Sequence, residues 1–345
     1  MIERYKKFVE LDPNDADGWI NLGDAYYDSN DIDGAIESYN KAIKLNPDFS
    51  EVWNNLGLVY SMKGQNDKAI ECFQHAIEID PEDGIAFYNM GFAYEDKGEF
   101  DKAIENYQRA LEYEPSYTDI WNNIALIYRD LENYEKAIEC YEKAIKINPD
   151  ELILFNNLAI VYFDNKNYEK SIYYYQKALE IGPQNAELWC DLGDVAYEQS
   201  NYDLAIESYR QAVNINPQYV EAWNNLGLAY TFNEDFKESI ECYEEALKFE
   251  LDDPVLYDNI GFSYYALEDF EMAISFYEKA LVINADNTTS LKKLGKIYCD
   301  VYKEHKKALT YFKRVNELDP SDNDVKIYLS ECNKSLEVKV KRKES

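Results

Sequence analysis

Val220-Glu221-Ala222-Trp223-Asn224-Asn225-Leu226-Gly227-Leu228-Ala229-Tyr230, followed by Ser239, Tyr243 and Ala246, is the stretch that decides the fold, because its spacing recurs. Trp53, Leu56, Gly57, Tyr60, Ala69, Phe73, Ala76 and Pro81 have the same intervals. So do Trp19, Leu22, Gly23, Tyr26, Ala35, Tyr39, Ala42 and Pro47, 34 residues earlier. Pro13, Pro47, Pro81, Pro115, Pro149, Pro183 and Pro217 keep that period without a slip. A fixed period of this length marks a solenoid. Within each block the aromatic, the Leu and the Tyr stand three and four apart and line one face of a first helix. Ala, aromatic and Ala do the same on a second helix. Proline then ends that helix, because it lacks an N–H and forces the preceding residue out of helical geometry.

The pattern Trp, Leu-Gly, Tyr, Ala, aromatic, Pro resembles the tetratricopeptide repeat. The resemblance covers nearly the whole chain. It implies an all-α fold: a right-handed superhelix, or α-solenoid, of antiparallel helix pairs. Residues 1–15 read as a half-repeat that supplies only a second helix, with Tyr5 at the aromatic position. Nine repeats follow at 16–49, 50–83, 84–117, 118–151, 152–185, 186–219, 220–253, 254–287 and 288–322. Residues 323–337 read as a polar capping helix. Residues 338–345 read as a basic, disordered tail. Three departures stand out. Ala125 and Ala159 replace the recurrent Gly. Leu251 and Ala285 replace the closing Pro, so looser junctions are expected there. The ninth repeat has one extra residue near His305, for which a longer turn is expected.

The net charge of −32 argues against nucleic acid, whose binding rests on Lys and Arg. The charge is uneven, since residues 288–345 carry 14 basic against 9 acidic residues. Six Cys far apart in sequence suit a reducing compartment, and a cytoplasmic location is expected. No apolar run approaches the length of a membrane span. Only two His are present, His75 and His305. No Gly-rich phosphate loop precedes a helix, and no spaced Cys/His set points to zinc. No catalytic residue, metal or cofactor is expected.

Binding is the expected function. The resemblance implies a concave groove lined by positions 2, 5, 6, 9, 12 and 13 of each first helix. Position 6 holds Asn21, Asn55, Asn89, Asn123, Asn157, Asp191, Asn225 and Asn259. An amide offers both a donor and an acceptor. Such a row could pair with the main chain of an extended peptide, and it resembles the asparagine ladder of the O-linked N-acetylglucosamine transferase repeats. Tyr88, Phe92, Arg129, Phe163, Tyr197, Phe262 and Tyr265 fall on the same face, with Lys292 and Lys296 at its C-terminal end. A carboxylate clamp is incomplete, because the position-5 residues include no Lys before Lys292. In the first eight repeats the groove positions carry fifteen acidic residues and one basic residue, Arg129. The expected partner is a protein or peptide with an extended, basic and apolar segment. Alternatives are self-assembly through the terminal repeats and service as the substrate-recruiting arm of a glycosyltransferase-like complex.

Overall fold

A computed structural model describes residues 1–344, with side chains through Glu337. Helix α1 (Ile2–Leu11) precedes the helix pairs. The pairs are α2/α3 (Ala16–Asp28, Ile32–Leu45), α4/α5 (Ser50–Met62, Asn66–Ile79), α6/α7 (Gly84–Asp96, Phe100–Tyr113) and α8/α9 (Thr118–Asp130, Tyr134–Ile147). Then come α10/α11 (Leu152–Asp164, Tyr168–Ile181), α12/α13 (Ala186–Glu198, Tyr202–Ile215), α14/α15 (Val220–Phe232, Phe236–Leu247) and α16/α17 (Pro254–Ala266, Phe270–Ile283). The last pair is α18/α19 (Thr288–Lys296, His305–Leu318), followed by α20 (Asn323–Glu344). Among the described residues there is no strand. The chain forms two compact units, Met1–Val161 and Tyr162 onward. Consecutive helices pack on one another from α1 to α9 in the first unit and from α11 to α20 in the second, which is an α-solenoid.

Each pair closes on itself through a small residue facing a ring. A Cβ added to Gly23 would lie 2.5 Å from Tyr39, and one on Gly227 would lie 2.5 Å from Tyr243. Those rings are completely buried. Ala125 and Ala159 are fully buried at the same position, so one methyl is tolerated where the ring gives way. Helix ends repeat as regularly. Asn30 has φ +62°, and its neighbours close a Schellman motif: Asp31 N–H donates to Tyr26 O and Asn30 N–H to Tyr27 O, both at 2.9 Å. The same left-handed residue recurs at Gly64, Gly98, Glu132, Lys166, Ser200, Glu234, Glu268 and Lys303. Trp19, Trp53, Trp189 and Trp223 each donate Nε1–H to the carbonyl of the Pro six residues earlier, at 2.9–3.0 Å. That bond ties the end of one repeat to the next.

Two local expectations are corrected. The extra residue of the ninth repeat does not lengthen a turn. It is taken up in a π-helical turn, Ile297–Val301, at the end of the first helix. Glu304 N–H reaches back six residues to Tyr298 O, where earlier repeats reach five. Of the two junctions without Pro, only one departs: α15 stops after 12 residues, whereas α17 keeps 14 and ends at an extended Asn284. The backbone of α20 runs to Glu344, and the side chains of the residues read as a tail, 338–345, lie outside the described ones. Ser345 lies outside the described residues.

Candidate peptide-binding face

The first helices place position 6 at half-burial along each unit, except Asn21, which is exposed. Asn21 turns inward, donating Nδ2–H to Asp17 O at 2.7 Å. The other Asn amides donate to the preceding repeat. Where that repeat has Asn at position 5, the bond goes to its Oδ1: Asn89 to Asn54 at 2.9 Å, Asn157 to Asn122 at 2.9 Å, and Asn259 to Asn224 at 3.2 Å. Where position 5 is Ile20 or Cys190, the acceptor is the position-9 carboxylate instead. Asn55 donates to Asp24 at 3.5 Å and Asn225 to Asp194 at 3.1 Å. Where it is Tyr88, Asn123 turns to the Tyr88 and Tyr107 hydroxyls at 3.4 and 3.5 Å. The row is therefore a set of inter-repeat staples before it is anything else. It is not a free ladder: Asn123 donates twice, to Tyr88 and Tyr107, and only an amide with a single such bond, as Asn89 has, keeps a second N–H for a ligand.

Asp191 breaks the row. Burial, then the neighbouring Asp194, Glu187 and Glu221, push its carboxyl up to about 6. Asp194 is also raised by burial, against the pull of hydrogen bonds from Tyr209 Oη–H at 2.7 Å and from Asn225. Asp194 joins Phe163, Tyr197, Glu198, Tyr209, Asn225 and Leu228 around an open pocket of about 330 Å³. Apolar and acidic groups converge there from consecutive first helices of the second unit.

The other expected groove residues divide. Phe92 is 44% exposed. Tyr88 packs on Tyr107 and Tyr117, with centroids 5.7 and 5.4 Å away. Tyr197 stands edge-on to Tyr202 and Phe232. Arg129 lies near Tyr141, where its charge works against the burial that raises that phenol. Phe262 and Tyr265 are capped by the Lys293 ammonium, 4.8 and 5.6 Å from their centroids. Burial lowers the pKa of that lysine. Lys292 and Lys296 are committed to the C-terminal helix. Lys292 pairs with Asp322 at 2.9 Å, and Lys296 lies over the Tyr328 ring at 5.5 Å. Both therefore sit beside α20.

One arrangement escaped the sequence reading. Cys299, His305 and Cys332 bring their donor atoms within 4.8 Å of one another. Spacing gave no signal, because six and 33 residues separate Cys299 from its two partners. Burial pushes Cys72, Cys190, Cys242 and Cys299 up to about 12, so these thiols are not poised as nucleophiles. Among the described residues no helix is long and apolar enough to cross a membrane.

Comparison with known proteins agrees with this architecture. No curated protein matches the sequence. The C-terminal part of a TPR repeat-containing protein from Cytophaga hutchinsonii superposes with a TM-score of 0.64 at 20% identity, over 70% of this chain and 99% of that one. A tetratricopeptide repeat protein from Parabacteroides merdae gives 0.49 at 19% identity, over 72% and 98%. MamA gives 0.46 at 30% identity, over 50% and 94%. Tetratricopeptide-repeat family models match residues 5–37, 23–64, 50–83 and 84–117. The model described as the cilia and flagella-associated protein 70 C-terminal domain matches residues 117–327, more than half of the chain. The chain thus belongs to the tetratricopeptide-repeat proteins, a family of protein-interaction scaffolds, and over residues 117–327 to the family of the cilia and flagella-associated protein 70 C-terminal domain.

Proposed function

We propose that this scaffold is non-catalytic and holds an extended peptide segment, basic and apolar, against the first-helix face. The pocket of Phe163, Asp194, Tyr197, Glu198 and Leu228 carries the reading. Its rings and Leu228 suit an apolar side chain, while Asp194 and Glu198 suit a Lys or Arg next to it. Complementary charge of this kind acts mainly on encounter rate and specificity. The Asn amides that make a single inter-repeat bond, such as Asn89, contribute through their second N–H, so they register the peptide main chain and are also part of the fold.

The test is calorimetric binding of a synthetic decapeptide of alternating Lys and Leu, with a Glu/Leu peptide as control. Glu198 is exposed, so Glu198→Lys leaves packing untouched and is expected to weaken the basic peptide about tenfold or more. Phe163→Ala is expected to weaken it about fivefold to thirtyfold, the effect of removing one partly buried aromatic contact. Equal affinity for both peptides, or a Glu198→Lys variant that binds as the parent does, sinks the reading.

A further inference from the structure

In three repeats the twelfth residue of the first helix packs its ring on the first residue of the second helix. The centroids are 5.8 Å apart for Phe163 and Tyr168, 5.7 Å for Tyr197 and Tyr202, and 5.6 Å for Tyr265 and Phe270. The ninth repeat puts Cys299 and His305 in those two places. A ring pair has become a donor pair, with Cys299 Sγ and His305 Nδ1 3.7 Å apart. Cys332, fully buried on α20, completes the group, its Sγ 3.3 Å from that of Cys299. All six cysteines are free thiols, and 3.3 Å is far beyond the ~2.05 Å of a disulfide. Cys299 itself lies in the π turn Ile297–Val301, a rare geometry found frequently at functional sites.

We propose that Cys299, His305 and Cys332 form a zinc site that clips α20 to the last repeat, with a fourth position left for water. Two thiolates and an imidazole are the ligands zinc takes, and they do not suit calcium or magnesium. A tetrahedral ion with ~2.3 Å Zn–S and ~2.0 Å Zn–N bonds would hold its sulfurs about 3.8 Å apart and each sulfur about 3.5 Å from the nitrogen. Cys299 stands 3.3 and 3.7 Å from its two partners, and Cys332 and His305 lie within 4.8 Å of each other, so side-chain movement of about an ångström closes the set around an ion. Access comes past half-buried His305, which lines an open pocket of about 550 Å³ with Lys303, Glu304, Lys307 and Leu336. Ligation breaks two S–H bonds, releases both protons to solvent and forms two Zn–S bonds with no change of oxidation state, so the site needs reduced cysteines and no oxidant.

The test uses the full chain, stripped by chelator and kept reduced with a phosphine. Titration with Co²⁺ is expected to give thiolate-to-metal charge transfer and the d–d bands of a tetrahedral centre, saturating at one equivalent and displaced by one equivalent of Zn²⁺. His305→Ala and Cys332→Ser are each expected to weaken Zn²⁺ at least tenfold. Cys72→Ser, at a buried thiol in another repeat, should leave the titration unchanged. If the Cys332 variant fails to fold, His305→Ala on its partly exposed side chain still decides. Absence of the charge-transfer band in the parent protein overturns the proposal. So does a loss in Cys72→Ser equal to that in Cys332→Ser, or a Cys299–Cys332 disulfide that persists under reduction and admits no metal.

Discussion

At the scale of a residue, Asp191 is the most informative departure from the repeat. Its neighbours in the row are amides, which cost little at half-burial once bonded. A carboxylate there meets desolvation and three more acids, and its carboxyl rises to about 6. An unfolded Asp titrates near 3.9, so between about pH 4 and 6 the folded chain holds more protons than the unfolded chain. Stability contributed by this group is therefore lost as pH rises through that window, and the full cost is present at neutral pH. Asp191→Asn removes it. We expect the variant to be more stable by about 1–2 kcal/mol at pH 7.5, a figure discounted for partial exposure, and indistinguishable at pH 3.5. Urea unfolding at the two pH values checks this, and a variant less stable than the parent at pH 7.5 would refute the assignment. A cationic ligand would relieve the same cost, which is a physical motive for an acidic residue at this point of a binding face.

At the scale of an element, the Asn staples join helices of successive repeats. Asn122 and Asn157 share one bond across 35 residues. Alanine at either should cost about 0.5–1.5 kcal/mol. Because both substitutions remove the same bond, the double variant should cost less than the sum, with a coupling of at least about 0.5 kcal/mol. Strict additivity in denaturant midpoints would show that the amides do not meet. This element also shows what a sequence can reveal. The 34-residue period placed the helix pairs, because Pro, Trp and the small residues mark ends and contacts within one repeat. It put Asn157 at the sixth position of a first helix, yet it could not say that its partner is Asn122. A period tells which face a side chain shares and is silent on the repeat next door. For the same reason the bonds of the amide row to the preceding repeat, the pairing of Lys292 with Asp322 and the approach of Cys332 to Cys299 were not visible. The extra residue near His305 was legible, but the backbone had two ways to absorb it, and the π turn is the one in which helix hydrogen bonding continues.

At the scale of the whole molecule, local packing has a consequence for unfolding. In a stacked array each repeat is held by its neighbours alone, so damage in one place need not reach another. Here the chain divides into units at Val161 and Tyr162. Trp19, Trp53 and Trp121 lie in the first, and Trp189 and Trp223 in the second. Two single-tryptophan proteins, one retaining Trp53 and one Trp223 with Phe at the other positions, therefore read the units separately. Leu226 is 2% exposed and belongs to the core around Trp223. Leu226→Ala should cost about 2–5 kcal/mol there. We expect it to move the Trp223 midpoint in urea to lower concentration and leave the Trp53 midpoint in place. Two probes with different midpoints cannot come from a two-state transition. If both fluorescence curves shift together by the same amount, the array unfolds as one cooperative body, and the local view of its stability fails with it.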